Sequence, residues 1–379
     1  MSSFDDIRPY DDLEIPAVMR RLSNSEKLCV IKDLFFPEVD LDALREKLCA
    51  IQTSRQFQSD IMVGVVESIL QRSTSGFKVT GLENISKGKS YLFVSNHRDI
   101  VLDAMLLQYR LLKEGHETCN IVFGENLMFD QLFTDLWKVN KMFQVNRGGN
   151  PKAFYNSLLH VSEYIRYLIE EQRESVWIAQ RNGRTKDGID ITDPALVKMF
   201  GMCRHNRGAD SLTGLNIVPV SVSYEWESCD KLKAVELCVS HHQKYEKKPG
   251  EDFNSIVTGI KQQKGEVHFH ICPPIGEADF EALDHLASGE FYKKVADLID
   301  ERIHAAYYLY PNNCIAHDLR SGSDDFASQY TPEQRARFLC YMEWMEEYPM
   351  LDREELKSVF LGIYANPVDS KLSQHQTVP

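Results

Sequence analysis

One histidine and two carboxylates stand together where an apolar run gives way to a helical pattern: His97, Asp99 and Asp103, in Val94-Ser95-Asn96-His97-Arg98-Asp99-Ile100-Val101-Leu102-Asp103-Ala104. Tyr91 to Val94 reads as a buried strand that stops at Ser95-Asn96. Junctions of this kind expose reactive side chains in α/β proteins, because the loop is solvated while the strand fixes it. A histidine beside an aspartate can act as an oriented general base. An Asn-His pair before a helix is ordinarily a cap, so the run gains chemical meaning only from motifs further down the chain.

The elements that must position these residues alternate. Phe77 to Val79, Tyr91 to Val94, Asn120 to Phe123, Met142 to Val145 and Val176 to Ala179 read as strands, as do Asn216 to Ser223, Ala234 to Ser240 and Glu266 to Ile271. Helical patterns run over Ile100 to Leu112, Leu127 to Val139 and Lys152 to Ile169, the last with Asn150-Pro151 at its start. This predicts an α/β domain over 76–306 with a central sheet, mostly parallel or mixed, flanked by helices. Residues 1–75 are expected to be helical, with Leu13, Ile15, Val18, Met19 and Leu22 on one face and a second helix from Asp60 to Gln71. Residues 307–379 read as a helical extension. In it, Ser321 to Asp325 is a linker, Thr331-Pro332 a helix start, and the last fifteen or so residues a disordered tail.

Composition narrows the class. Of 379 residues, 43% are hydrophobic and 26% charged, as in ordinary globular proteins. No apolar window is long enough to cross a bilayer, and the start Met1-Ser2-Ser3-Phe4-Asp5-Asp6 has no signal-like apolar core. Nine single cysteines with no Cys-x-x-Cys suggest reduced thiols in a cytoplasm. A net charge of −13 argues against nucleic acid as a partner. From Lys141 to Arg207, however, eleven Lys and Arg face seven acids. This is either a solvated face or a site for a phosphate-bearing or otherwise anionic ligand.

Three short matches lead nowhere. His97-Arg98-Asp99 copies the kinase catalytic tripeptide, but Ala104 occupies the place of the required Asn, and no Asp-Phe-Gly is present. Gly88-Lys89-Ser90 resembles a P-loop end, yet Glu83 stands where the first glycine belongs, and a strand comes next instead of a helix. His241-His242 and His268-x-His270 lack companions with metal-ligand spacing and read as surface or structural histidines.

The downstream motifs are more specific. After Asn96-His97 come Phe123-Gly124-Glu125-Asn126, then Phe143-Gln144-Val145-Asn146-Arg147, then Trp177-Ile178-Ala179-Gln180-Arg181-Asn182-Gly183-Arg184, then Val218-Pro219-Val220-Ser221. In this order and at these separations, residues 76–275 resemble the glycerolipid acyltransferase superfamily, which includes glycerol-3-phosphate and 1-acylglycerol-3-phosphate acyltransferases. The continuation to Tyr224-Glu225 is similar to the bacterial glycerol-3-phosphate acyltransferase branch. The resemblance implies His97 as the base that takes a proton from an acceptor hydroxyl or amine, which attacks the thioester of acyl-CoA or an acyl carrier protein. It implies a carboxylate orienting His97, Arg147 gripping the acceptor's phosphate, the loop from Arg181 through Asn182, Gly183 and Arg184 to Lys186 as the other acceptor wall, and Pro219 shaping the acyl side. No metal or redox cofactor is implied.

The sequence departs from the family pattern twice. The family places four residues between His and Asp, and here Leu102 comes after those four, with Asp103 one later. Either the turn absorbs an extra residue or Asp99 does the orienting; a loop takes up one residue easily, which favours Asp103. In the third motif, normally Glu-Gly-x-Arg, Asn182 stands at the Glu position and Arg184 comes directly after Gly183. Asn keeps hydrogen bonding and loses the charge. The expected enzyme is a cytoplasmic or membrane-peripheral O-acyltransferase of phospholipid biosynthesis with a glycerophosphate or lysolipid acceptor. A non-phosphate acceptor such as an amino-acid lipid, or an inactive lipid-binding scaffold of the same fold, remain the alternatives. Acyl-chain substrates call for membrane contact, for which the N-terminal helices or the 100–112 face are available unless they are core.

Overall fold

In a computed structural model, seven short runs pair into one mixed sheet: β1 (Gly76–Thr80), β2 (Leu92–Ser95), β3 (Asn120–Gly124), β4 (Met142–Val145), β5 (Val176–Ala179), β6 (Ile217–Tyr224) and β7 (Glu266–Ile271). The structure describes residues 4–376 apart from 125, 126, 128, 129, 146, 147, 149 and 207. The strand order is β1-β7-β6-β2-β5-β3-β4. All neighbours are parallel except β6 and β7. β2 is central and buried at every position, as expected of a strand covered on both faces.

Alternation along β2 divides the core. Phe93 joins Trp177, Val218 and Val220 on one face, with Leu102, Leu106 and Leu107 of the Leu102–Lys113 helix. Leu92 and Val94 join Val176, Ile178, Ile217 and Phe143 on the other. Successive strand residues point to opposite faces, so both layers are specified by one run of sequence. Asn150 caps the Pro151–Arg166 helix by accepting the Ala153 amide at 2.9 Å, which stabilises by about 1 kcal/mol.

Ile15, Val18, Met19 and Leu22 of the Ile15–Ser23 helix and Leu102, Ala104, Leu106, Leu107 and Leu111 of the Leu102–Lys113 helix are buried in the first core. Leu13 does not belong with the first four: it precedes the Ile15–Ser23 helix and is 96% exposed. Among the described residues, no helix is long and apolar enough to cross a membrane.

Two C-terminal readings need correction. Ala234 to Ser240 is not a strand but part of the Asp230–His242 helix, which buries Lys233, Ala234 and Cys238. The i, i+4 pair Ala234 and Cys238 packs into a third cluster with Phe360 and Tyr364, a helical period that a seven-residue window conceals. The tail expected to be disordered is helical as far as Gln376, in the Arg353–Gln376 helix. Leu361, Ile363, Tyr364 and Val368 are buried there, and burial of this kind stabilises a segment whose last residues look polar. Thr331 does start a helix, Pro332–Tyr341, through a capping box with Gln334.

Candidate active site

The site is built where β2 ends. Asn96 extends the strand with its side chain: Nδ2 donates to the Val222 carbonyl at 2.9 Å and Oδ1 accepts the Val222 amide at 2.7 Å. The carboxamide thus acts as one more peptide unit between β2 and β6. His97 comes next, its carbonyl accepting the Thr185 amide at 2.8 Å. Trp177 meets the imidazole edge-on at 5.6 Å between centroids.

His97 Nδ1 lies 2.9 Å from Asp103 Oδ2. The same oxygen accepts the amides of Arg98 (2.6 Å) and Asp99 (2.9 Å), while Oδ1 accepts the Tyr224 hydroxyl at 2.8 Å. Asp103 is fully buried in the first turn of its helix, where the helix dipole favours a negative charge. Burial, then the Asp103 charge, holds the Tyr224 hydroxyl well above its ordinary range, so it stays a donor. His97 Nε2 has no hydrogen-bond partner among the described residues, and the ring lines a large cleft. An imidazole held at Nδ1 by a carboxylate, with Nε2 facing a cleft, has the geometry of a general base.

Asp99 has other work. Its Oδ1 accepts the amides of Val101 (3.0 Å) and Leu102 (2.8 Å), and its Oδ2 accepts the Ser228 hydroxyl. Asp99 thus closes the turn between His97 and the Leu102–Lys113 helix.

Behind the turn lies a buried ionic layer that sequence reasoning missed. Arg98 pairs with Asp190 and, at 3.6 Å, with Glu227. Burial disfavours its charge, but the two carboxylates outweigh that and raise its pKa. Lys233 donates to the Arg98 carbonyl at 2.7 Å and pairs with Glu227. Tyr307 donates to the Asp190 carboxylate, and His304 Nε2 lies 2.7 Å from the Asp190 carbonyl. Apart from the Lys233–Glu227 pair, these contacts join residues far apart in the chain, and nothing local in the sequence signals them. Tyr224 and Trp177 were visible only as members of longer motif runs.

The cleft holds about 940 Å³. Ile100, Met105, Phe123, Leu127, Trp137 and Met142 give it a long apolar wall. Arg181, Asn182, Gly183, Arg184 and Lys186, the loop after β5, also line it. This is the carboxyl end of the parallel strands, where α/β sheets bind ligands. Lys186 is paired with Glu236. Arg181 and Arg184 have no acidic partner among the described residues, and Arg184 Nη1 is buried with no hydrogen bond. A buried guanidinium nitrogen without a hydrogen bond is costly, and an anionic ligand would relieve that cost.

Pro219 does not line the cleft: it is buried within β6, opposite Val94, and its carbonyl accepts the Cys272 amide. β6 lies between β2 and β7, which places this position inside the sheet. Arg147, with Glu125, Asn126 and Asn146, lies outside the described residues. His268 and His270 share Thr80 Oγ1 at 3.0 and 2.8 Å, and His241 and His242 both face Glu355. Among the described residues, no group of three His, Cys, Asp or Glu could hold a metal ion.

Residues 76–223 match the family model described as Acyltransferase. No curated protein sequence matches the chain. Among solved structures, the 1-acyl-sn-glycerophosphate (LPA) acyltransferase PlsC from Thermotoga maritima is similar, with 12% identity and a TM-score of 0.41 over 77% of this chain and 97% of that one.

Proposed function

We propose, from the match of residues 76–223 to the Acyltransferase family model and from the geometry of the cleft, that the protein moves a fatty acyl group from acyl-CoA or acyl carrier protein to the hydroxyl of a glycerol-3-phosphate or lysophospholipid-type acceptor. His97 Nε2 takes the hydroxyl proton. The alkoxide oxygen attacks the thioester carbonyl, the new C–O bond forms, the C–S bond breaks, and the thiolate leaves with the proton that His97 returns. Asp103 holds the imidazole and stabilises its positive charge while it carries the proton. Arg181 and Arg184 receive the acceptor's anionic group, and the apolar wall receives the acyl chain. The atoms balance with the acyl carrier as co-substrate and without a redox group or metal. The reaction belongs to the cytoplasm, at or near a membrane surface that supplies or takes up the lipid.

The observation that carries this reading is the union in one cleft of a carboxylate-held histidine, an apolar wall and two guanidiniums with no acidic partner among the described residues. The test is transfer from palmitoyl-CoA and palmitoyl-acyl carrier protein to glycerol 3-phosphate, 1-acylglycerol 3-phosphate and a phosphate-free amino-acid lipid, comparing wild type with His97→Ala. Loss of a general base should lower kcat by ~10²–10⁴-fold. Turnover that survives the substitution overturns the mechanism. A preference for the phosphate-free acceptor overturns the acceptor assignment, and no turnover in any combination leaves a lipid-binding scaffold.

A further inference from the structure

The Arg353–Gln376 helix lies outside the segment that matches the family model, yet it touches the loop that lines the cleft after β5. Pro367 is inside this helix. It has no N–H to give to the Ile363 carbonyl four residues back, so that carbonyl lacks its usual helical partner. The loop packs against that carbonyl. Gly188, at φ +80°, approaches so closely that a Cβ there would stand 2.3 Å from the Ile363 oxygen. One residue before it, the Asp187 carbonyl accepts Asn366 Nδ2 at 2.7 Å. Asn366 is itself held by Arg320, which donates to Oδ1. The docked residues Asp187 and Gly188 come directly after Lys186 and lie four residues or fewer from Arg184, and Arg184, Lys186 and Asp187 all line the cleft.

We propose that Asn366 is a positioning residue for acceptor binding: it fixes the Arg184–Gly188 backbone against the turn of the C-terminal helix that carries Pro367, and so sets where the Arg184 guanidinium stands in the cleft. This rests on the acceptor role proposed for that loop. Asn366 touches neither acceptor nor acyl group and acts through the Asp187 carbonyl.

Asn366→Asp isolates the contact. The carboxylate keeps an acceptor for Arg320 and so keeps the helix anchored, but it has no N–H for Asp187 and repels its carbonyl. With glycerol 3-phosphate and palmitoyl-CoA, the variant should raise the acceptor KM roughly two- to tenfold, the worth of one hydrogen bond. Its kcat, donor KM and melting temperature should stay near wild type. Hydrogen exchange of the amides from 184 to 190 should quicken. Asn366→Gln, which restores a donor on a longer arm, should recover part of the acceptor KM. Unchanged loop exchange in Asn366→Asp overturns the proposal. So does an unchanged acceptor KM, or a fall in kcat with donor KM altered, because a merely structural role would give those results. If wild type turns over no acceptor, the functional reading fails instead, and loop exchange alone decides whether Asn366 holds the loop.

Discussion

Tyr224 donates its hydroxyl to Asp103 at 2.8 Å on the oxygen opposite the one that faces His97. The carboxylate is therefore gripped from both sides, by a strand residue 121 positions away and by the turn that carries the histidine. A carboxylate fixed in this way can hold an imidazole in one tautomer and one orientation.

This arrangement separates the two aspartates of the turn. Asp103→Asn should lower kcat by ~10²–10⁴-fold, because an amide cannot stabilise the imidazolium. Asp99→Asn keeps an oxygen for the Val101 and Leu102 amides and should leave kcat within about threefold while lowering stability by roughly 0.5–2 kcal/mol, the range of a weakened cap. Tyr224→Phe strips one donor from a buried carboxylate and should fall between the two in kcat. Steady-state kinetics with thermal melts distinguish them, and a loss of activity confined to Asp99→Asn would reverse the assignment.

Arg181 and Arg184 are expected to act on the acceptor and not the donor. Each alanine substitution removes charge-assisted hydrogen bonds, which should raise the KM for a phosphate-bearing acceptor by ~10–100-fold. The KM for palmitoyl-CoA should move little. A phosphate-free acceptor should show no such loss. Equal effects on donor and acceptor would place the two arginines on the carrier side of the cleft.

The sheet was legible because β2, β3 and β5 are apolar runs bounded by polar residues, and each is paired as that pattern requires. The histidine and the Arg181 to Lys186 loop were legible because they come directly after strand ends. The choice between Asp99 and Asp103 was legible only as a leaning towards Asp103, since spacing in a turn does not say which carboxylate faces inward. The ionic layer was not legible: Arg98 and Asp190 are 92 residues apart, and only the sheet brings the two loops together. Ala234 to Ser240 misled because seven residues suit either period, and what makes the segment helical is packing against the Arg353–Gln376 helix.

Stability should depend on pH through Asp300. Its carboxylate accepts the Thr192 amide at 2.9 Å and hydroxyl at 2.6 Å, tying the end of the Arg181–Thr192 loop to the Ser288–Ala305 helix. Burial pushes its pKa up to about 7; the Thr192 hydrogen bonds oppose this, and the charges of Asp190 and Asp297 add to it. Between 3.8 and about 7 the folded protein holds a proton that the unfolded chain has lost. Stability from this group therefore falls as pH rises through that window and is level above it. Asp300→Asn removes the titration, so its melting temperature relative to wild type should climb from the acid to the alkaline side of the window. Parallel melting curves across it would sink the idea.

Gly183 and Gly188 offer a paired test of the contact between the loop and the C-terminal helix. Both have left-handed backbone, φ +77° and +80°, so alanine at either carries the same conformational penalty of roughly 1–2 kcal/mol. Around Gly183 an added Cβ meets nothing within 4 Å, whereas at Gly188 it meets the Ile363 carbonyl at 2.3 Å. Backbone cannot step aside as a flexible side chain does, so Gly188→Ala should cost a further ~1–3 kcal/mol of overpacking. Denaturant midpoints measured side by side give the difference directly, since the backbone term cancels. Equal losses would mean that the helix yields at its proline and that the loop is not held against it.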